Sequence, residues 1–233
     1  MKLLSSIALI CFALAGFAQP RDSAVLQLDT VKNRFLPTGI RIGTDVIAIV
    51  KSNIQDDFTG WEVNADVDFN RYYLNFDYGT WGRNFATDSA AYKNDGTYWR
   101  VGVDVNFLLK DIDRNLFFIG LRYGRASYNE QMLIVSDDDI WGVYSNSYIN
   151  PAATARWLEL TSGIKVKIYK FIWLGYTVRF KFGLKGKGQD QMISHDIPGY
   201  GRTDKETAWG FNYQLMFRIP FRPLPPLPPQ KKK

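Results

Sequence analysis

One cysteine, one histidine and no second long apolar run are what this 233-residue sequence offers to thiol chemistry, histidine chemistry and helical membrane crossing. Cys11 lies within an apolar N-terminal stretch. Ile10 stands where a lipidation signal places a small residue, and the run continues past the cysteine, so Cys11 reads as one more apolar residue of a leader. Disulfides and thiol chemistry are thereby excluded from the mature chain. Nothing after the leader supplies the roughly 18 continuous apolar residues of a transmembrane helix. Any membrane crossing must use strands.

The lone histidine, His195, stands in "MISHDIPGYG" between Ser194 and Asp196. Adjacent residues do not converge as a triad, whose members are brought from separate places to within about 3 Å. The segment is read as a polar loop. No GxSxG, HExxH or paired-histidine spacing occurs, so no catalytic residue, metal site or cofactor is expected. Asp137, Asp138 and Asp139 lack the ligand spacing of a dedicated calcium site and read as a solvated loop tip. The net charge of +6 is spread along the chain without an exposed basic stripe, which argues against nucleic acid.

What is present begins with "MKLLSSIALICFALAGFAQP", a lysine, an apolar core and small residues before Gln19. That is the anatomy of a signal peptide over 1–18, cleaved after Ala18. Residues 19–38 are then a periplasmic N-terminal segment, and the rest is of a length that one all-β domain can occupy. Period-2 patterning marks eight segments, roughly 39–50, 58–69, 71–82, 97–109, 115–127, 154–168, 171–183 and 207–221. In "WEVNADVDF", Trp61, Val63, Ala65, Val67 and Phe69 alternate with Glu62, Asn64, Asp66 and Asp68. "WRVGVDVNF" and "WGFNYQLMFRIPF" repeat the pattern from Trp99 and from Trp209. Alternation this long suits a membrane-spanning strand better than the five or six residues of soluble sheets.

Short and long gaps alternate between these segments, with tight turns near Asn70 and at Tyr169–Lys170 and long loops at 128–153 and 184–206. The fold class that follows is all-β: an eight-stranded antiparallel up-and-down transmembrane β-barrel over 39–221, with short periplasmic turns and longer extracellular loops. Both termini are periplasmic in the outer membrane of a Gram-negative bacterium. Trp61, Trp99 and Trp209 then form part of the membrane-interface aromatic belt in contact with outer-membrane lipid. A soluble lipocalin-like barrel would invert the alternation.

Inside, the first four strands bring Arg41, Asp45, Glu62, Asp66, Asp68, Asp77, Arg100 and Asp104, and the last four bring Arg122, Glu159, Lys165, Lys167, Arg179, Lys181 and Arg218. An acidic half faces a basic half. Eight strands enclose a lumen that side chains fill, so these groups are expected to pair as a polar plug, with no conducting pore.

The chain ends in "FRPLPPLPPQKKK", a proline-rich periplasmic tail over 222–233 that joins neither helix nor sheet. A polyproline II rod, at about 3.1 Å per residue, would carry Lys231, Lys232 and Lys233 away from the membrane. Pro225, Pro226, Pro228 and Pro229 would suit an aromatic groove. The tail, together with segment 20–37, is the candidate contact with a protein partner of the envelope; a plain solvated tail is the alternative.

The leader ending "FAQ", the eight alternating strands and the aromatic last strand ending at Phe221 resemble the small outer-membrane barrels of Bacteroidota. The resemblance covers nearly the whole mature chain and implies an accessory subunit of an envelope machine such as the barrel assembly machinery. It carries over no catalytic motif. The expected function is therefore a non-enzymatic structural or scaffolding subunit of a multiprotein envelope complex. The alternatives are a surface adhesion or ligand-binding barrel that uses loops 128–153 and 184–206, and a lipid-modifying enzyme that would depend on His195.

Overall fold

A strand with one apolar and one charged row is stable only where two unlike surroundings meet it, and closing such strands into a ring provides both. The computed structural model describes residues 36–223, apart from Asp139 and Trp141. Its elements are β1 (Gly39–Asp45), α1 (Val46–Ile54), β2 (Phe58–Phe69), β3 (Tyr72–Ala86), β4 (Ala90–Asn106), β5 (Leu116–Asp138), β6 (Gly142–Tyr169), β7 (Ile172–Lys187), β8 (Asp196–Ile197), β9 (Gly201–Arg202) and β10 (Thr207–Pro220). Eight of the strands close into a barrel in the ring order β1, β2, β3, β4, β5, β6, β7, β10, every neighbouring pair antiparallel. The remaining two, β8 and β9, pair with each other.

One end carries the tight connections and both ends of the barrel chain. Asn70 and Lys170, with φ of 65° and 35°, adopt the left-handed backbone that closes the β2–β3 and β6–β7 turns. Gly39 pairs with Pro220 at this same end.

At the other end three expectations give way. The first strand was expected to run to 50, but it stops at Asp45, whose carboxylate accepts from the Ile47 N–H at 3.1 Å and caps α1. Isoleucine and valine over 46–50 fit a strand or an apolar helix equally by composition, and the cap decides. The connection expected over 83–96 is instead mostly strand, with β3 and β4 paired up to Ala86 and Ala91. Loop 128–153 is likewise a continuation of β5 and β6, which pair out to Asp138 and Gly142. A bulge sets Pro151 and Ala152 against Asn129, a position where proline's missing donor costs no ladder bond. The bulge also switches which side of β6 faces inward: Ala153, Ala155, Trp157 and Glu159 are buried below it, and Asn150 above it. Strands β3 to β6 thus rise beyond the barrel as one sheet.

The outward rows are apolar. Val63, Leu74, Phe76, Val103, Ile119, Leu121, Leu160, Phe211 and Phe217 are each about 40–60 % exposed. The inward rows hold the charges, so the polarity is the reverse of a water-soluble barrel.

Candidate functional site

Inward alternation puts fixed charges on facing walls, and the lumen is where they meet. Next to the tight-turn end, Arg218 reaches Asp68 at 2.9 Å and the Thr38 hydroxyl at 3.0 Å. Arg41 lies between the rings of Tyr73 and Trp173, 4.8 and 5.0 Å from their centroids, while its Nε donates to Asp66 at 2.8 Å. The other Asp66 oxygen accepts from Lys165 at 2.8 Å. Above them Arg122 forks between Asp104 at 2.9 Å and Asp77 at 2.7 Å. Asp77 also accepts from Arg179 at 3.2 Å, with Arg100 Nε at the same distance.

Glu159 accepts from Arg179 at 2.8 Å and from the Trp157 indole at 2.7 Å. Glu62 pairs with Arg100 and accepts from the Tyr98 hydroxyl at 2.7 Å. Asn212 joins the two halves, accepting from Arg179 at 2.5 Å and donating to Asp45 at 2.7 Å. Fourteen of the fifteen charged residues placed inward by sequence therefore line the lumen, with Arg218 and Asp68 as a pair of their own near the tight turns. Lys167 does not: it is exposed beside the β6–β7 turn, where the ladder register shifts between Lys167 and Tyr169. Trp157 and Trp173, fully or nearly buried inside, carried no signal beyond position in a strand.

Trp61, Trp99 and Trp209 stand in outward rows, against Tyr78, Tyr123 and Phe180 at ring separations of 5.9, 5.7 and 4.6 Å. The tail residues Pro225, Pro226, Pro228, Pro229, Lys231, Lys232 and Lys233 lie outside the described residues, as do the leader and most of segment 19–38.

The connection from β7 to β10 folds back into the barrel end opposite the tight turns. Lys181 donates to the carbonyls of Gly199 and Tyr200 at 2.8 and 2.9 Å. Gly199, at φ 74°, packs so near Tyr98 that an added Cβ would meet the ring at 2.5 Å. Buried Glu130 accepts from Ser194 at 2.5 Å, Asn150 at 2.9 Å and Tyr92 at 3.1 Å. The Asn94 amide donates to the Asp196 carbonyl at 2.7 Å. Asp196 lies 2.7 Å from Arg83, an ion pair by distance without hydrogen-bond alignment, and burial raises its carboxyl above the usual range against the pull of that arginine.

His195 packs its ring on Tyr92 and Phe85, at 5.2 and 6.0 Å. Ser194 is engaged by Glu130 and Tyr128 and not by His195, so the "SHD" triplet is part of a plug. Among the described residues no group of three or more His, Cys, Asp or Glu side chains is arranged to hold a metal ion.

Helix α1 fills a gap in the wall. Beyond Asp45 the upper parts of β2 and β10 have no strand between them. Asp45 accepts from the Tyr213 N–H at 3.0 Å, and Ser52 from the Gly60 N–H at 3.2 Å. Side chains near and on the helix thereby take up strand-edge donors, while Ile47, Ile49, Val50 and Ile54 face outward.

A family model described as "Domain of unknown function (DUF6048)" matches residues 1–223. No curated protein matches the chain. Among solved structures, Ail, the attachment invasion locus protein of Yersinia pestis, is similar at a TM-score of 0.39 and 10% identity, over 78% of this chain and 98% of that one. Ail in complex with the heparin analogue sucrose octasulfate gives 0.37 and 12%, over 78% and 98%. Neisserial surface protein A gives 0.32 and 11%, over 79% and 96%. Superpositions that loose say nothing about activity.

Proposed function

The chain belongs to that DUF6048 family, and we propose that it is an integral outer-membrane barrel that works by binding, as a non-enzymatic and non-conducting subunit of an envelope assembly. The carrying observation is polarity. Apolar side chains cover the outside, while buried and mutually paired charges fill the inside. In water this arrangement would expose a large apolar surface; in a bilayer both faces are satisfied. The tight-turn end, with the two ends of the barrel chain, faces the periplasm in this reading, and β3 to β6 rise outside the cell.

Conduction has no route, because the ion-paired lumen is closed above by the loop that Lys181 and Glu130 hold. Planar-bilayer recordings of the refolded protein should show no steady conductance. Partners are sought by purifying the tagged protein from native membranes in mild detergent and identifying what remains bound. The barrel assembly machinery is the first assembly to look for, and a stoichiometric set of envelope proteins supports the subunit reading. A reproducibly clean monomer would refute it and favour a second reading, adhesion or ligand binding outside the cell. One observation favours that second reading: the outer sheet extends well past the barrel, and Val143 and Tyr144 at the end of its β5–β6 hairpin are exposed.

A further inference from the structure

The outer sheet has one edge that no described strand pairs with. Strand β6 pairs with β7 only from Thr154 onward, opposite Lys187. Just above, the β7–β10 connection covers the edge in part: Gln191 accepts from the Ile149 N–H at 2.8 Å, and its own N–H donates to the Asn150 side chain at 3.4 Å. Ile149 therefore turns its backbone donor away from β5. By the alternation of an antiparallel strand, Val143, Ser145 and Ser147 turn their N–H and C=O groups the same way. No described strand meets them. Residues 142–147 are exposed and Tyr148 half-buried, and this stretch, "GVYSNSY", contains no charge and no proline. Long exposed edges are ordinarily blunted by lysine, proline or a covering loop; this one carries neither lysine nor proline, and among the described residues no strand covers it.

We propose that the β6 edge from Gly142 to Tyr148 docks an extended segment of another protein, which adds to the outer sheet as a strand. Unpaired backbone donors and acceptors in alternate order are satisfied by a strand and by no compact surface. Charge selects the partner. From 129 to 150 the chain has acidic residues, Glu130 and Asp137 to Asp139, and no lysine or arginine. Asp137 is exposed at the tip, so the incoming segment carries basic residues beside an alternating β-branched or aromatic core. A second copy in the same membrane is disfavoured, since it would bring an identical acidic tip to the same height. The proposal rests on the membrane-barrel reading and names its binding surface.

The test is selection of random twelve-residue peptides, displayed on phage, against the full-length protein in lipid nanodiscs, with empty nanodiscs as the counter-selection. Three variants are compared: wild type, Ser145→Ala, which keeps the edge donor, and Ser145→Pro, which removes it without touching the ladder to β5. Gel mobility before and after boiling confirms that each barrel is folded. Enriched peptides should be basic and proline-poor, bind Ser145→Ala like wild type, and bind Ser145→Pro about tenfold or more weakly. They should also slow amide exchange at Val143, Ser145 and Ser147. No enrichment, acidic peptides, or binding indifferent to Ser145→Pro overturns the proposal, as does self-association through this edge. If native co-purification yields partners that Ser145→Pro retains in full, the edge assignment falls while the subunit reading stands. If the wild type cannot enter nanodiscs, the membrane reading itself falls.

Discussion

Asp77 is the carboxylate on which the lumen converges, and Asp77→Asn isolates its contribution. One of its oxygens lies 2.7 Å from Arg122 Nη1, 3.2 Å from Arg179 Nη2 and 3.2 Å from Arg100 Nε, and all four residues are buried. Asparagine keeps the size and removes the charge, so three guanidinium groups lose the counter-ion they share. Breaking a buried pair from one side costs about 3–5 kcal/mol, a large part of the roughly 5–15 kcal/mol that holds a typical fold. With a urea slope of about 2 kcal/mol/M, the unfolding midpoint in lipid vesicles should fall by about 2 M, followed by tryptophan fluorescence. Asp77→Asn/Arg122→Met removes a stranded cation and should recover part of the loss. A single variant within about 1 kcal/mol of wild type, or a double variant weaker than the single, would refute the shared-counter-ion account.

Lys181→Met removes both hydrogen bonds to the plug, so trypsin should cut faster at Arg202 or Lys205 while the barrel's unfolding free energy in urea changes by less than about 2 kcal/mol. Asp196 has a raised carboxyl pKa because it is buried. An acid of this kind binds its proton more readily in the docked loop than in the free one, so docking is strongest in acid and weakens as pH rises through the folded pKa. Protection factors for 194–203, from hydrogen exchange corrected for intrinsic rates, should fall between pH 4 and pH 7, and Asp196→Asn should flatten that slope. Gly124→Ala would put a Cβ 2.3 Å from the Trp157 ring. It should cost about 1–3 kcal/mol and shift the tryptophan emission; an unchanged spectrum would show that the ring has room to move.

Much of the barrel could be read directly because period-2 alternation reports which side of a strand meets lipid, and a closed ring makes that hold for every strand. Glu62, Asp66 and Asp77 were placed inward by parity alone, and the structure pairs them across the lumen with Arg100, Lys165, Arg122 and Arg179. Beyond the apolar belt the signal fades. Tyr128 to Asp138 and Gly142 to Tyr148 are strands with mixed faces, so their alternation is weak, and the bulge at Pro151 and Ala152 shifts the parity partway along. Helix α1 was hidden because "VIAIV" continues the apolar character of β1 and only the cap at Asp45 marks the change. The plug was missed for another reason: Ser194, Asp196 and Tyr200 are polar or aromatic residues in a loop, and nothing in their order shows that they fold back over Lys181 and Glu130.

The short first strand also bears on how this ring assembles. Each neighbouring pair from β2 to β7 joins segments adjacent in sequence, and such hairpins zip locally. Closure is different: β1 must find β10 across nearly the whole barrel sequence, and it has only seven residue pairs with which to hold it. Entropy places that step late, after the other ladders have formed an open, curved sheet of eight strands. The same seam is then the first to part under denaturant, so the barrel unfolds by opening along one line and peeling β1 and its helix away together.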